Sequence, residues 1–290
     1  SQRRVSSGDP ALFFLSEMIL KKITILGPGL LGGSVGLASQ AAGYEVVMWG
    51  RKQERVELAR EYGLTATTQL LPAVYDADLI VLAVPVGVMK DLSQQLIGHL
   101  KQGALVTDVG SVKALPHHAA KGLPFIGSHP MAGSEQTGIE AARADLLNGA
   151  ACVITNQEAR SAEEVSILES FWEALGCRVH QMTVEDHDRA VARISHLPHA
   201  MAVLTAESAL KFPNDVALAA GGFRDTTRVA SGDPTMWAEI MMENKDALTH
   251  ALKDAQQGMK ELLKHLENGD QEELERYLEV VKQSKDRSGC

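Results

Sequence analysis

Four short segments place polar side chains where a bare scaffold has no use for them. Asp108-Val109-Gly110-Ser111-Val112-Lys113 closes the apolar run Ala104 to Val109. Gly127-Ser128-His129-Pro130-Met131-Ala132-Gly133 follows the run Pro124 to Gly127 in the same way. Ser195-His196-Leu197-Pro198-His199 lies inside a long helical pattern. Gly222-Phe223-Arg224-Asp225-Thr226-Thr227-Arg228 carries two guanidinium groups beside a glycine break. A histidine such as His129 titrates in the range useful for moving protons, and the planar fork of arginine suits a carboxylate. His196 and His199 stand three apart and therefore share a helix face. Read as a metal pair they lack a third ligand at useful spacing, so no metal is expected.

The frame that must position these groups is visible around a glycine-rich string. Gly27-Pro28-Gly29-Leu30-Leu31-Gly32 fits G-x-G-x-x-G, follows the apolar run Ile23 to Leu26 and opens a helical pattern. In that setting Gly27 permits a tight turn, Gly29 lets the backbone approach a pyrophosphate, and Gly32 lets helix and strand pack closely. The free N–H groups of Leu30 and Leu31, with the helix dipole, hold the anion. Val84 and Pro85, closing the run Leu79 to Val84, are assigned to the same cofactor site. The next apolar run ends in Gly50-Arg51-Lys52, with no acid until Glu54. A carboxylate there would bind the ribose hydroxyls of NAD. Two cations favour the 2′-phosphate of NADP, with NAD the alternative.

Short apolar runs alternate with helix-period segments through the first part of the chain. This rhythm predicts a parallel, doubly wound sheet of Rossmann type, which Ala151 to Ile154 and Cys177 to Gln181 extend. After about residue 183 helical patterns replace it: Glu185 to Leu210, Pro234 to Leu266 and Gln271 to Ser284. The predicted organisation is a flexible extension over 1–20, a nucleotide-binding domain over 21–182, and an all-helical domain over 183–290. Met18 is the expected natural start.

Hydrophobic residues make up 45% of the 290-residue chain and charged residues 22%, enough to bury a sizeable core. The net charge of -9 argues against a nucleic-acid surface, which needs clustered cations. Three cysteines without metal or disulfide spacing fit a reducing, cytoplasmic location, and no transmembrane segment is expected.

Taken in order and spacing, these segments resemble the TyrA family of prephenate and arogenate dehydrogenases. The resemblance runs from about Lys22 to about Leu266 and includes Asp233-Pro234 with Trp237, and Glu243-Asn244-Lys245. It implies a Rossmann domain followed by a helical domain that forms a homodimer. It also implies oxidative decarboxylation of a cyclohexadienol in tyrosine biosynthesis. By the same resemblance His129 is the catalytic base and Ser111 hydrogen-bonds the reacting hydroxyl. Arg228 binds a substrate carboxylate, His199 meets the side-chain end of the substrate, and His196 shapes the site. Ser134 and Glu135 line or gate the pocket. His199 tilts the reading toward prephenate, because arogenate-preferring members often carry an apolar residue there. Trp237 and Met241 read as core or dimer contacts. Two alternatives remain beside the leading one. A hydroxyacid dehydrogenase of similar architecture would use a lysine where the histidine pair stands, and a non-catalytic sensor would not need Ser111, His129 and Arg228 together.

Overall fold

A computed structural model describes residues 20–133 and 136–289. The expected extension falls outside them apart from Leu20, and Ser134 and Glu135 also lie outside. The chain divides after Val184 into two compact units.

The first unit is built on β1 (Lys22–Leu26), α1 (Leu30–Ala41), β2 (Glu45–Trp49), α2 (Gln53–Glu61), β3 (Thr65–Thr67) and α3 (Leu70–Val74). It continues with β4 (Leu79–Leu82), α4 (Val86–Leu96), β5 (Leu105–Asp108) and α5 (Ala114–Ala119). The strands form a parallel sheet in the order β3-β2-β1-β4-β5. Its central strands are buried on both faces, which is why they read as continuous apolar runs. Alternation still sorts their side chains. Ile23, Ile25, Leu79 and Val81 enter one core, while Leu26, Ile80 and Leu82 enter the other. Residues Thr65–Thr67 make a strand too short to leave a sequence pattern.

The remaining strands depart from the expected parallel extension. β6 (Gly127–Pro130), β7 (Ala151–Thr155) and β8 (Arg178–Gln181), with α6 (Ala162–Ala174) between the last two, form a sheet in the order β6-β7-β8. β6 runs antiparallel to β7, whereas β7 and β8 are parallel. The physical reason lies in the connections. A parallel pair needs a crossover, which α6 supplies. Among the described residues, the link from β6 to β7 holds only a short turn at Ile139–Ala141. The two sheets are joined just before β6, where Val106 N donates to Pro124 O at 2.9 Å and Ile126 N donates to Val106 O at 2.9 Å.

The second unit is helical. α7 (Val184–Val191) passes through a π turn at Ala192–His196 into α8 (Leu197–Leu210). α9 (Pro213–Val216), α10 (Gly221–Thr227), a 3-10 turn at Arg228–Ser231, α11 (Pro234–Glu243), α12 (Lys245–Asn268) and α13 (Gln271–Ser288) follow. The expected single helix from Pro234 to Leu266 breaks at Asn244, whose side chain turns inward and is 6% exposed. Among the described residues no helix is long and apolar enough to cross a membrane.

Candidate active site

The glycine turn has a different reason for each glycine. Gly27 has φ +127°, and a Cβ there would lie 2.2 Å from Ala83 O. A Cβ on Gly32 would lie 2.0 Å from Gly27 O, so helix and turn can meet only through glycine. Gly29, at the N-cap of α1, has no protein atom within 4 Å of where its Cβ would stand. Packing therefore does not demand glycine at that position. Open space before a helix N-terminus, beside half-buried Leu30 and Leu31, fits a pyrophosphate approaching bare backbone. Val84 borders the turn, its Cγ1 within 3.1 Å of the Cβ position of Gly27, and Pro85 caps α4. Arg51 and exposed Lys52, the latter at the N-cap of α2, follow Gly50 after the end of β2. These residues fit a nicotinamide dinucleotide.

Beside the turn, at the same carboxyl edge of the sheet, β5 ends on Asp108 and the loop after it carries half-buried Ser111. His129, expected in a loop, lies within β6 and is 8% exposed, paired in register with Val153. The segment Gly-Ser-His-Pro has little strand propensity, and its conformation is imposed by partners. Ser128 N donates to Asp108 Oδ1 at 3.0 Å, and Lys113 Nζ donates to Ser128 O at 2.7 Å. Lys113 also forms an ion pair with Asp108, both side chains fully buried. Ser128 Oγ meets Thr107 Oγ1 at 2.7 Å and accepts from Trp172 Nε1 at 2.9 Å. Gly127 is needed because a Cβ would stand 2.5 Å from Thr155 Oγ1. Thr155 Oγ1 in turn lies 2.9 Å from Nε2 of buried His117, whose pKa burial pushes below its ordinary value.

In the helical unit, His196 and His199 are 1% and 4% exposed. The π turn ends on His196, and such insertions mark functional sites in many helices. Asn244 Nδ2 donates to Asp188 O at 2.8 Å and lies 3.2 Å from His196 Nδ1. A carbonyl only accepts, so the amide nitrogen is identified, and His196 Nδ1 must be the acceptor. The neutral ring therefore carries its proton on Nε2. Burial pulls the pKa of His196 down to about 4, against an opposing pull from Asp188. Burial also lowers that of His199. His199 Nδ1 is buried with no hydrogen-bond partner among the described residues. Its ring stacks on Trp237, centroids 3.5 Å apart, and the edge of His196 meets the same indole at 6.4 Å. Arg228 is exposed and opens a turn that packs on α8.

Two residues of this cluster, Trp237 and Asn244, were not singled out by the sequence as site groups. Their only signal was membership in the motifs Asp233 to Trp237 and Glu243 to Lys245. Among the described residues no group of three or more His, Cys, Asp or Glu is placed to hold a metal ion.

A dinucleotide cradle and a serine at one sheet edge, an imidazole in a strand tied to that edge through Ser128, and a buried imidazole pair on a separate helical unit point to a nicotinamide-dependent oxidoreductase. Comparison with known proteins makes the class specific. Residues 35–181 match the prephenate dehydrogenase nucleotide-binding domain, and residues 183–280 match the prephenate dehydrogenase dimerization domain. The chain belongs to the prephenate dehydrogenase family. It is 33% identical to the prephenate dehydrogenase of Lactococcus lactis subsp. cremoris, covering 91% of this chain and 76% of the relative. A structure of A. aeolicus prephenate dehydrogenase with hydroxyphenyl propionate and NAD+ superposes with a TM-score of 0.85 at 28% identity, covering 92% of this chain and 98% of that one. Synechocystis arogenate dehydrogenase superposes with a TM-score of 0.81 at 32% identity, covering 92% and 99%.

Proposed function

We propose that this chain oxidatively decarboxylates prephenate to 4-hydroxyphenylpyruvate in tyrosine biosynthesis, using NADP. The observation that carries the reading is His129, an imidazole held in a buried strand whose neighbouring residue Ser128 is hydrogen-bonded to Asp108 at the carboxyl end of β5. A nicotinamide dinucleotide held at Gly27, Gly29 and Gly32 would supply the acceptor for the hydride on the ring carbon that bears the hydroxyl. His129 takes the hydroxyl proton as the carbon–carboxylate bond breaks and its electron pair enters the ring. The proton returns to the phenolate, so CO2 and reduced cofactor are the net products besides the phenol. Ser111 orients the hydroxyl. Aromatisation supplies the driving force, which leaves the protein mainly to orient the substrate and hold one proton.

The helical unit supplies the groups that recognise the substrate. Arg228 takes a carboxylate through its fork. His199 offers a buried ring nitrogen without a partner among the described residues, which costs about 1–3 kcal/mol until a substrate oxygen meets it. The ketone of the prephenate side chain provides that oxygen, and His196 shapes the wall behind. Ser134 and Glu135, which lie outside the described residues, are proposed as further substrate-binding residues. Arogenate and NAD form the second reading, favoured by the likeness to the Synechocystis enzyme and by the NAD+ in the A. aeolicus complex. Kinetics with each substrate and each cofactor, following reduced nicotinamide, test both choices. No turnover in any combination overturns the proposal.

A homodimer completes the reading. Met259, Leu262, Leu263 and Leu266 form an exposed stripe along α12 at the spacing of a helix-packing seam. A Leu263→Asp, Leu266→Asp variant is expected to run as a monomer in light scattering, and an unchanged mass argues against this seam.

A further inference from the structure

Ser128 is tied at every polar atom, and the ties lead to both halves of the proposed reacting pair. Residues 126 and 128 turn their backbone toward the same edge, because strand groups alternate in direction. Ile126 N finds Val106 O on that edge. Past Val106 the ladder has no further rung, and the side chains of Asp108 and Lys113 take its place. Asp108 Oδ1 accepts from Ser128 N, and Lys113 Nζ donates to Ser128 O, the carbonyl of the peptide unit that leads into His129. The same two side chains close the loop between them. Asp108 Oδ2 accepts from Gly110 N at 2.9 Å and pairs with Lys113, so residues 109–112, with Ser111 among them, are clasped at both ends.

We propose that the Asp108–Lys113 ion pair is a clasp that fixes Ser111 and His129 relative to one another. Asp108 and Lys113 are thereby positioning residues for the reaction. The inference rests on the reading of Ser111 and His129 as the reacting pair. A fully buried ion pair is a poor source of stability, since replacing it with apolar side chains is often neutral. Setting the geometry of two segments 18 positions apart in sequence gives it a use, because misplacement by about 1 Å can cost about 100-fold in rate.

Removing one partner strands a buried charge and risks the fold, so the test replaces both. The Asp108→Leu, Lys113→Met variant keeps the branched shape of one side chain and the length of the other. Because Ser128 N, Ser128 O and Gly110 N lose their partners, it is expected to stay folded with a lowered melting temperature and to bind cofactor normally, with kcat down about 10- to 100-fold and KM little changed. Amide exchange should quicken together in segments 109–112 and 127–130, and not in β1. A folded double variant with wild-type kcat and exchange overturns the clasp and leaves only a cap on a sheet edge. The wild-type protein gives a second readout that needs no substitution. The amides of Gly110 and Ser128, bound to one carboxylate, should exchange at a common slow rate. Rapid exchange at Gly110 beside a protected Ser128 also overturns the proposal. Undiminished turnover in His129→Asn would instead remove the underlying reading of the pair, and the exchange results would stand apart from it.

Discussion

The imidazole of His199 lies flat on the indole of Trp237, centroids 3.5 Å apart and planes 11° from parallel. Stacking at this distance fixes the ring and desolvates it, and burial is the cause of its lowered pKa. The indole is itself seated by Gly232, where a Cβ would stand 2.5 Å from Trp237 Nε1. Gly232→Ala should therefore push the indole off His199 while the rest of the unit stays folded. An aromatic pair of this kind is worth about 0.5–1.5 kcal/mol, so the expected rise in KM for prephenate is up to about tenfold. Steady-state kinetics check it, with Trp237→Phe as the milder control; an unchanged KM in Gly232→Ala shows that the stack does not bear on substrate binding.

The three glycines of the turn should separate by experiment. Gly29→Ala meets no protein atom and needs no positive φ, so the melting temperature should hold while cofactor affinity falls at least about tenfold. Gly27→Ala and Gly32→Ala meet backbone at 2.2 and 2.0 Å and should lower the melting temperature outright. Isothermal titration and thermal melts distinguish the two behaviours. Normal cofactor affinity in Gly29→Ala would mean the pyrophosphate sits elsewhere.

The glycine turn was legible in the sequence because its reasons are local: a strand, a reversal and a helix within ten residues. The central strands were legible because burial on both faces makes them continuous apolar runs. β6 was not, since Gly127 to Pro130 becomes a strand through Asp108 and Lys113, partners 15 and more positions away. Its antiparallel pairing with β7 followed from a missing crossover that no local pattern announces. The contact of His199 with Trp237 spans 38 positions and left no periodicity to read. Asn244 looked like the interior of a helix, and only its inward hydrogen bonds to Asp188 and His196 show why the helix breaks there.

Cofactor choice should turn on Arg51. β2 ends on Trp49, and the following Gly50-Arg51-Lys52 holds two cations and no carboxylate where the proposed NADP site requires a partner for its 2′-phosphate. A charged hydrogen bond contributes about 1.5–3 kcal/mol, so Arg51→Ala should raise KM for NADP about 10- to 100-fold. KM for NAD should change far less. Equal effects on the two cofactors would assign Arg51 to the adenine face, which they share.

His196 should make stability depend on pH in a defined window. Its folded pKa of about 4 lies below the value of about 6.5 for an unperturbed histidine. Between these values the unfolded chain binds the proton and the folded chain does not. The stabilisation is therefore fully present above about pH 6.5, is lost as pH falls toward 4, and changes no further below that. The difference is worth about 3 kcal/mol. His199 and His117, lowered for the same reason, steepen the fall. Asp76, Asp78 and Glu164 have pKa values held below the ordinary carboxylate range, so their own loss begins at lower pH. Urea unfolding followed by circular dichroism at about pH 7.5 and pH 5 isolates the histidines. His196→Gln keeps an acceptor for Asn244 without a titrating ring, and should flatten the dependence while costing about 1 kcal/mol at the higher pH. The same slope in variant and wild type would show that His196 is protonated as readily in the folded chain as in the unfolded one.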